Sequence, residues 1–441
     1  GAGSLYLNGN PGSSLLVNQS NGFYDMRIDG TLITENYGTV YNYGTLCKTD
    51  GVGTSLVACT VHNYGGTLES RSGTLRLNGL DHVDGILRLD GGSLSLPAFT
   101  LQAGRIEGAG TLKVAGRLTS SGTVSPGLSA GALTLAGDFT QNGAGTLAVE
   151  IGDRTPGIGH DLLAVSGNAT LGGTLDVTLT GGFVPGLGDA FTVLTCGSRS
   201  GAFSATNAPA IGADRRWLVA YSGTSASLWV GGLSAAITAP SNGAVIAAPG
   251  TVTLSATVAD TAGTVTQVAF FAGAADLGVS ADAGNLYTLD WAAPAGLHSL
   301  VCVARDNAGL IVTSAPVTVS VAPAAPAGVA ASDGAYADKV RVAWAAAGGA
   351  SGYQVWRNTA NSSGTAALLG RTGGTVYEDT GAVPGTKYYY WVKATNAWAT
   401  GLFSASDAGY RTVPAPAGVA ASDAGYPDKV RVAWGAVSGA A

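Results

Sequence analysis

The residues best suited to chemistry in this chain are two aspartates and an arginine that lie close together in sequence. Asp153, Arg154 and Asp161 belong to a short polar loop between predicted strands. Paired carboxylates beside a basic group are the side chains with which polysaccharide-cleaving enzymes transfer protons and stabilise charge on a sugar. A solvated turn has the same composition, and we favour that interpretation over a catalytic site.

The histidines do not form a metal site in sequence. Asp81-His82-Val83-Asp84 is the densest polar cluster, but alternate residues of a strand face opposite sides, so His82 and Asp84 are separated from Asp81 and Val83. We expect no catalytic or metal-binding role there. None of the four histidines has a second ligand at a spacing typical of metal sites: His62, His82, His160 and His298.

The four cysteines are too few for a scaffold built on disulfides. Cys47 and Cys59 could meet across adjacent strands, or they could be two small apolar side chains in a core, and both interpretations stay open. Cys196 and Cys302 fall in different predicted domains, so we expect them to be unpaired.

Other signatures of chemistry are missing from the sequence. There is no serine with a histidine and an acid in a recognisable elbow, and the glycine-rich strings lie at strand corners instead of forming a phosphate loop. Three isolated acids could hold calcium, although solvated acids are commoner: Asp276, Asp282 and Asp306. We therefore predict that the protein is not an enzyme and has no catalytic residue, metal site or cofactor.

Composition limits the class of protein. The chain has 441 residues, of which 68 are glycine, 46% are hydrophobic and 11% are charged, and its net charge is −6. Glycine does not recur at every third position, which excludes collagen, and the hydrophobic content excludes a disordered chain. The negative charge argues against a nucleic-acid partner, and no apolar run is long enough to span a bilayer. Glycine-punctuated β-structure in two to four domains is what we expect.

A short phrase of glycine, threonine and leucine or valine organises the first half of the chain. Glycine supplies a corner, and the two residues after it begin a short strand. The spacing is uneven, which indicates a coil of strands with roughly 20 to 30 residues per turn. The phrase begins at Gly30, Gly38, Gly44, Gly66, Gly73, Gly110, Gly122, Gly145 and Gly173.

Tyrosine and asparagine recur within this region. The echo Asn-Tyr-Gly-Thr predicts that equivalent asparagines or tyrosines stack along the axis of the coil. Tyr37, Tyr41 and Tyr43 lie at alternate positions, so they share one face if the strand is continuous. They could form an exposed stripe for sugar stacking or subunit packing, but we favour tyrosines of the core or of a ladder.

The strand phrases in 132–203 include Asp161-Leu162-Leu163-Ala164-Val165 and then the runs 169–177 and 188–195. This succession resembles the passenger β-helices of autotransporters and related giant bacterial surface proteins. The resemblance implies a right-handed parallel β-helix, which we place at residues 1–232. It carries little information about activity, because such solenoids host many functions.

Residues 233–322 have a different composition, with more alanine and a cleanly alternating strand at 252–258. The segment resembles a bacterial immunoglobulin-like domain, in which Trp291 and aliphatic residues would form the core without a paired-cysteine bridge.

The clearest internal repeat lies beyond a stiff Pro-Ala linker. The segments 326–333 and 338–344 return at 416–423 and 428–434, an offset of 90 residues. The pattern resembles fibronectin type III modules, and places a first module at 323–413 and the incomplete start of a second at 414–441. The resemblance assigns structural roles to Trp344 on strand B, Tyr388 at the tyrosine corner, and the repeat's tryptophan, Trp434.

We therefore expect an all-β protein: a parallel β-helix followed by immunoglobulin-like and fibronectin type III β-sandwiches. Because both ends carry unfinished units, we expect an excerpt of a longer chain or a subunit completed by neighbours. Partners would be copies of itself or neighbouring domains, with a glycan as a further candidate.

The leading hypothesis for function is a structural or adhesive component of a bacterial extracellular surface, and a protein filament assembled through its ends is one form of it. The alternative is a secreted glycan-binding or polysaccharide-degrading protein that uses a groove on the helix.

Overall fold

The computed structural model describes residues 5–6, 14–34, 38–280, 284, 286–422, 425–437 and 440. Within them the secondary structure is β throughout, apart from one 3-10 turn at Ser363–Thr365. The chain divides into two compact units, residues 1–232 and 233–441. Tyr37, Asp282 and Asp423, which entered the sequence predictions, lie outside the described residues.

The first unit is a solenoid of short strands. They are β1 (Leu5–Tyr6), β2 (Ser14–Asn18), β3 (Phe23–Asp25), β4 (Gly30–Thr34), β5 (Gly38–Asn42), β6 (Thr45–Lys48), β7 (Thr54–Asn63), β8 (Thr67–Ser70), β9 (Thr74–His82), β10 (Ile86–Leu101), β11 (Arg105–Ser120), β12 (Thr123–Pro126), β13 (Ala132–Gln141), β14 (Thr146–Ile151), β15 (Leu162–Val165), β16 (Asn168–Leu171), β17 (Thr174–Leu179), β18 (Ala190–Thr195), β19 (Ser198–Gly201), β20 (Ala205–Asn207), β21 (Arg215–Tyr221) and β22 (Ser225–Ala239).

The strands pair in parallel columns, as the repeated phrase predicts. One column runs through β3, β6, β8, β10, β11, β12, β14, β17 and β20 without a break in pairing. A second runs through β4, β7, β9, β10, β11, β13, β15 and β18. A third begins with β2, β5, β7 and β9, and further parallel pairs join β13, β16 and β19. Each turn therefore hydrogen-bonds its backbone to the turns before and after it.

Alternation of side chains along each strand fills the interior with stacked aliphatic residues. Leu46 aligns with Leu68, which aligns with Leu87, and all three are fully buried. Burying a leucine contributes roughly 1.5–3 kcal/mol. Glycine is required at some corners: Gly108 has φ +107°, and a Cβ there would overlap the carbonyl oxygen of Leu89 on the previous turn.

The pairing changes direction at the end of the solenoid. β22 is antiparallel both to β18 and to β21, whereas the columns before it are parallel. Aromatic rings pack here, with Phe191 edge-on to Trp217 at 5.8 Å and to Phe183 at 5.9 Å. This antiparallel sheet covers core residues of the last turns.

The second unit begins with an immunoglobulin-like domain made of two sheets. From Leu233 onward β22 pairs with β24, which pairs with β27. The other sheet has the order β23, β30, β28, β25, β26, with β29 beside β28. Trp291 is 7% exposed in the core between them, and its ring meets that of His298 at 5.0 Å. The strands are β23 (Ala244–Ile246), β24 (Gly250–Asp260), β25 (Val265–Ala272), β26 (Ala275–Val279), β27 (Leu286–Ala293), β28 (Gly296–Asp306), β29 (Ile311–Thr313) and β30 (Val317–Val321).

A fibronectin-like sandwich follows. One sheet has the order β31, β32, β35, and the other has β34, β33, β36, β37 with β38 beside β36. Trp344 directly follows β32, and its ring lies 5.3 Å from that of Tyr353. Tyr388, at the start of β36, accepts a 3.4 Å hydrogen bond from the Val383 amide. The strands are β31 (Ala330–Ala331), β32 (Val340–Ala343), β33 (Gly352–Asn358), β34 (Ala367–Thr372), β35 (Val376–Asp379), β36 (Tyr388–Thr395), β37 (Thr400–Phe403) and β38 (Asp407–Gly409).

The repeat of this module differs from its first copy. Among its described residues the strands are β39 (Ala420–Ala421) and β40 (Val432–Ala433), which pair with each other. Trp434 is 61% exposed among the described residues of this segment, whereas Trp344 is 6% exposed, and the structural role of Trp434 stays a prediction. No second sheet covers the indole in the described part of this segment.

Candidate functional site

A ladder of polar side chains runs inside the first turns of the solenoid. Asn18, Asn42 and Asn63 occupy equivalent positions on β2, β5 and β7. The amide of Asn18 donates to the Oδ1 of Asn42 at 2.7 Å, and that of Asn42 donates to the Oδ1 of Asn63 at 2.6 Å. The Asn-Tyr-Gly-Thr echo predicts such a ladder, and for asparagine the prediction is confirmed.

His82 continues the ladder on β9, aligned with Asn63. The Asn63 amide lies 3.0 Å from the Nδ1 of His82, while the Nε2 is buried without a hydrogen-bond partner in the described residues. Burial lowers the pKa of His82 to about 4, against the smaller effects of Asp84 and Asp81. The imidazole is therefore neutral at physiological pH, and it is a structural group of the core.

Asp81, the residue before His82, faces outward, as the alternation of side chains along a strand predicts. Asp81 contacts the Nδ1 of His62 at 2.9 Å and accepts a 3.2 Å hydrogen bond from the hydroxyl of Tyr64. The ring of Tyr41 stacks on His62 at 4.9 Å, and Tyr43 meets Tyr64 at 6.1 Å. The described tyrosines of this region thus form an outward-facing cluster across two turns. A core position is wrong for them, whereas the contact of Tyr43 with Tyr64 on the next turn agrees with a ladder.

A buried lysine, Lys48, lies at the end of β6 and was not predicted from the sequence. The side chain of Lys48 is fully buried, and its ammonium contacts Asp29 at 2.9 Å and the carbonyl oxygen of Asp50 at 2.7 Å. The hydrogen bond from Lys48 holds the pKa of the Asp29 carboxyl below its usual value. A lysine at the end of a strand gives no sign in sequence that it faces inward, so no pattern could have found this pair.

The candidate catalytic loop does not assemble. Arg154 makes two hydrogen bonds to Asp189, at 2.8 and 2.6 Å, a partner that lies 35 residues away and that sequence reasoning did not find. Asp161 is 1% exposed and accepts hydrogen bonds from the amides of Gly131 at 2.8 Å and Glu150 at 2.9 Å. Burial raises the pKa of Asp161 to about 7. Asp153 accepts from the Arg154 amide, so each of the three groups has a different partner.

Acids of the immunoglobulin-like domain shape turns. Asp276 accepts from the Gly278 amide at 2.9 Å, and Asp306 accepts from the amides of Ala308 and Leu310 at 2.9 and 2.6 Å. In the part of the chain that the structure describes, no group of three or more His, Cys, Asp or Glu side chains could hold a metal ion.

The described cysteines are free thiols, which answers the question left open for Cys47 and Cys59 in favour of two buried side chains. Burial raises the pKa of Cys47 to about 12 and also raises that of Cys59. Cys302 is buried and Cys196 is partly exposed.

A groove of about 320 Å³ lies near the end of the solenoid. Arg215, Arg216 and Trp217 line it together with the loop 206–212, and no carboxylate is among the described residues that do so. The Trp217 indole donates to the carbonyl oxygen of Pro209 at 3.0 Å. The groove has one aromatic ring but lacks the acid pair that hydrolysis of a polysaccharide requires.

Comparison with known proteins identifies the middle of the chain. Residues 234–301 match the bacterial Ig domain family. None of the curated proteins that were compared matches the chain. Among the described residues, no helix has the length and apolar character needed to cross a membrane.

Solved structures similar to part of the chain include fibronectin-like modules. An Fn3-like protein from Clostridium thermocellum is 35% identical, with 21% of this chain and 98% of that one covered and a TM-score of 0.19. Fibronectin(III)-like modules of CbhA from the same organism are 26% identical, with 20% and 94% covered and a TM-score of 0.19. An endo-beta-1,4-mannanase from Thermotoga petrophila is 19% identical, with 20% and 19% covered and a TM-score of 0.18.

The chain is therefore an all-β protein that combines a β-solenoid with immunoglobulin-like and fibronectin-like domains. Domains of these two kinds are typical of multidomain extracellular proteins.

Proposed function

We propose that this protein is a structural and adhesive component of a bacterial extracellular surface. The solenoid would be its framework, and the sandwich domains would act as spacers that hold the framework away from its point of attachment. The proposal includes its location at the cell surface and the absence of catalysis.

The observation that carries the proposal is the continuous column of parallel strands from β3 to β20. Every turn between the first and the last of this column is bonded to both neighbours, and the interior is filled by aliphatic side chains and by the asparagine ladder. Stability in such a stack is a sum of turn and neighbour terms, so force is resisted turn by turn. That is a mechanical property and needs no ligand.

The side chains that could do chemistry support a non-catalytic role. Arg154 is held by Asp189, and both oxygens of Asp161 accept backbone amides. His82 is buried and neutral. The hydrogen bonds of Arg154 and Asp161 and the burial of His82 are therefore those of structural groups.

Self-association is the part of the proposal that concerns filaments. Only 11% of the residues are charged, so much of the surface is formed by small polar side chains that can pack against copies without burying charge. Negative-stain electron microscopy of material sheared from producing cells tests this directly. Fibres with a regular axial repeat would support assembly into filaments, and isolated particles would contradict it.

The experiment that tests the surface role is immunogold labelling of intact producing cells with an antibody against residues 323–413. We expect gold on the outside of unpermeabilised cells. Label that appears only after permeabilisation, or release of sugars from polysaccharides by the purified chain, would overturn the proposal.

A further inference from the structure

The fibronectin-like domain has a second aromatic surface outside its core. Along β36, Tyr388, Tyr390 and Val392 belong to the core of the sandwich. Alternation therefore turns Tyr389, Trp391 and Lys393 to the opposite side of the sheet. An antiparallel sheet usually has a polar face on that side, so a row of rings there calls for an explanation.

Strand register adds further residues to this side. Trp356 on β33 is the partner of Trp391, and Gln354 on β33 and Phe403 on β37 are both partners of Lys393. On the neighbouring strand β34, Arg371 pairs with Gln354. We call this surface the aromatic face. It consists of Gln354, Trp356, Arg371, Tyr389, Trp391, Lys393 and Phe403.

The rings of the aromatic face contact one another. Trp356 meets Phe403 edge-on at 5.5 Å, and Tyr389 lies 6.5 Å from Trp391. Trp391 is 4% exposed although it is outside the sandwich core, while Trp356, Tyr389 and Phe403 are partly exposed. The buried indole thus lies among rings that solvent still reaches.

The charged residues of the aromatic face, Arg371 and Lys393, and the adjacent Lys387 all carry a positive charge. The ammonium of Lys393 lies 3.9 Å from the ring centre of Phe403 and 5.7 Å from that of Trp356, and Lys387 lies 5.3 Å from that of Tyr389. Among the described residues, Lys387, Lys393 and Arg371 form no ion pair. Elsewhere in the same domain, Lys339 bonds Glu378 and Arg357 bonds Asp379. In a chain of net charge −6, this is an unneutralised basic patch.

We propose that the aromatic face binds an acidic polysaccharide. Its rings present flat apolar surfaces on which the apolar faces of sugar rings stack, and its cations complement carboxylates spaced along the polymer. Strands about 4.8 Å apart place the rings and cations of β33, β36 and β37 within the span of two or three sugars. An acidic protein would satisfy the charges but would not use the rings in this way.

Binding is tested by affinity electrophoresis of the full chain in gels that contain polygalacturonate, dextran or poly-L-glutamate. Dextran has sugar rings without charge, and polyglutamate has carboxylates without sugar rings. We expect retardation by polygalacturonate alone, and we expect it to weaken as salt is raised, since the charges are exposed.

Matched variants test whether the aromatic face is responsible for the retardation by polygalacturonate. Trp356→Ala and Lys393→Gln should each raise the dissociation constant for polygalacturonate, obtained from the retardation, at least tenfold. Trp356→Phe should retain most of the affinity. The controls are Trp398→Ala, an exposed tryptophan in the turn between β36 and β37, and Lys339→Gln, whose lysine is paired with Glu378. Both controls should bind as the unmodified chain does.

Three results would overturn the proposal. The first is equal retardation by polygalacturonate and polyglutamate, which would indicate an acidic protein as the partner. The second is no retardation by polygalacturonate. The third is unchanged binding by Lys393→Gln, which decides the matter even if Trp356→Ala fails to fold. The surface role proposed above does not depend on any of these results, because it is tested by location.

Discussion

The side-chain amide of Asn42 donates a 2.6 Å hydrogen bond to the Oδ1 of Asn63, one turn further along the solenoid. Both side chains are fully buried. Asn42 in turn accepts from Asn18, so its amide group links three successive turns. Interior amides that are satisfied in this way fix the register of the turns, because a shift of one residue would place them against aliphatic side chains.

Replacing the central asparagine should therefore destabilise the solenoid. Asn42→Ala leaves a buried donor of Asn18 and a buried acceptor of Asn63 with fewer partners, and we expect the free energy of unfolding to fall by about 2–3 kcal/mol. Urea denaturation followed by circular dichroism measures the change. Asn78→Ala, at an exposed position of β9, is the control and should cost less than about 0.5 kcal/mol. Equal effects would contradict a structural ladder.

His82 should make the stability of the solenoid depend on pH. Its pKa is about 4 in the folded protein against 6.5 for an unburied histidine, so the unfolded state binds the proton first as pH falls. The contribution of this group is present above pH 6.5 and is lost between pH 6.5 and about pH 4, by up to about 1.4 kcal/mol per pH unit.

The measurement is a comparison of denaturation curves across this pH range. His82→Asn keeps an acceptor for Asn63 and should remove the dependence, so the difference from the unmodified chain should shrink or reverse as pH falls. His62→Gln, on the outward face, serves as the control and should leave the dependence in place. The raised pKa of Asp161 and the lowered pKa of His160 also make stability depend on pH. They do so equally in the unmodified chain and in His82→Asn, so their effects cancel when the two are compared. Parallel pH profiles for His82→Asn and the unmodified chain would refute the assignment.

How much of this interior follows from sequence depends on the type of side chain. The recurring Asn-Tyr-Gly-Thr phrase predicts that asparagines stack, because equivalent positions of a coil lie above one another. The place of Lys48 could not be predicted, since a strand-end lysine usually faces solvent and its partner Asp29 belongs to the preceding turn. The contact between Arg154 and Asp189 could not be predicted either, because the two residues lie 35 positions apart in sequence.

Glycine at one corner should be irreplaceable. Gly108 has φ +107°, and a side chain would collide with the Leu89 carbonyl. Gly108→Ala should lower the free energy of unfolding by about 2–5 kcal/mol, from backbone strain together with overpacking. Gly143→Ala, where a Cβ would meet nothing within 4 Å, should change stability by less than about 0.5 kcal/mol. Thermal or urea unfolding distinguishes the two, and a tolerated Gly108→Ala would show that the turns are not held this closely.

The fibronectin-like domain offers a matched pair of tyrosines. Tyr390 is fully buried and donates a 2.9 Å hydrogen bond to Asp379, which also accepts from Arg357 at 2.7 Å. Tyr390→Phe removes one partner of a buried carboxylate and should cost about 1–3 kcal/mol in the unfolding of this domain. Tyr389→Phe, next in sequence on the opposite side of the sheet, should cost less than about 0.5 kcal/mol. An equal loss for both would mean that the buried network contributes nothing.

The core of the sandwich domains could be predicted from sequence better than the surface of the solenoid. Trp344 and Tyr388, which the resemblance to fibronectin type III modules singles out, both lie in the core of the sandwich. The repeat also assigns a structural role to Trp434, which is 61% exposed beside the described pair of strands β39 and β40; that role stays a prediction. The aromatic face was missed because an outward row of rings on β36 has the same alternation as an inward one.

The central claim is that the solenoid is a mechanical framework, and single-molecule stretching of the full chain between two handles tests it most directly. We expect the solenoid to lengthen in repeated steps of one turn, roughly 20 to 30 residues or about 7 to 10 nm each, and each sandwich to give one step of roughly 30 nm. A solenoid that extends freely, without a measurable force step before the sandwiches unfold, would contradict the claim.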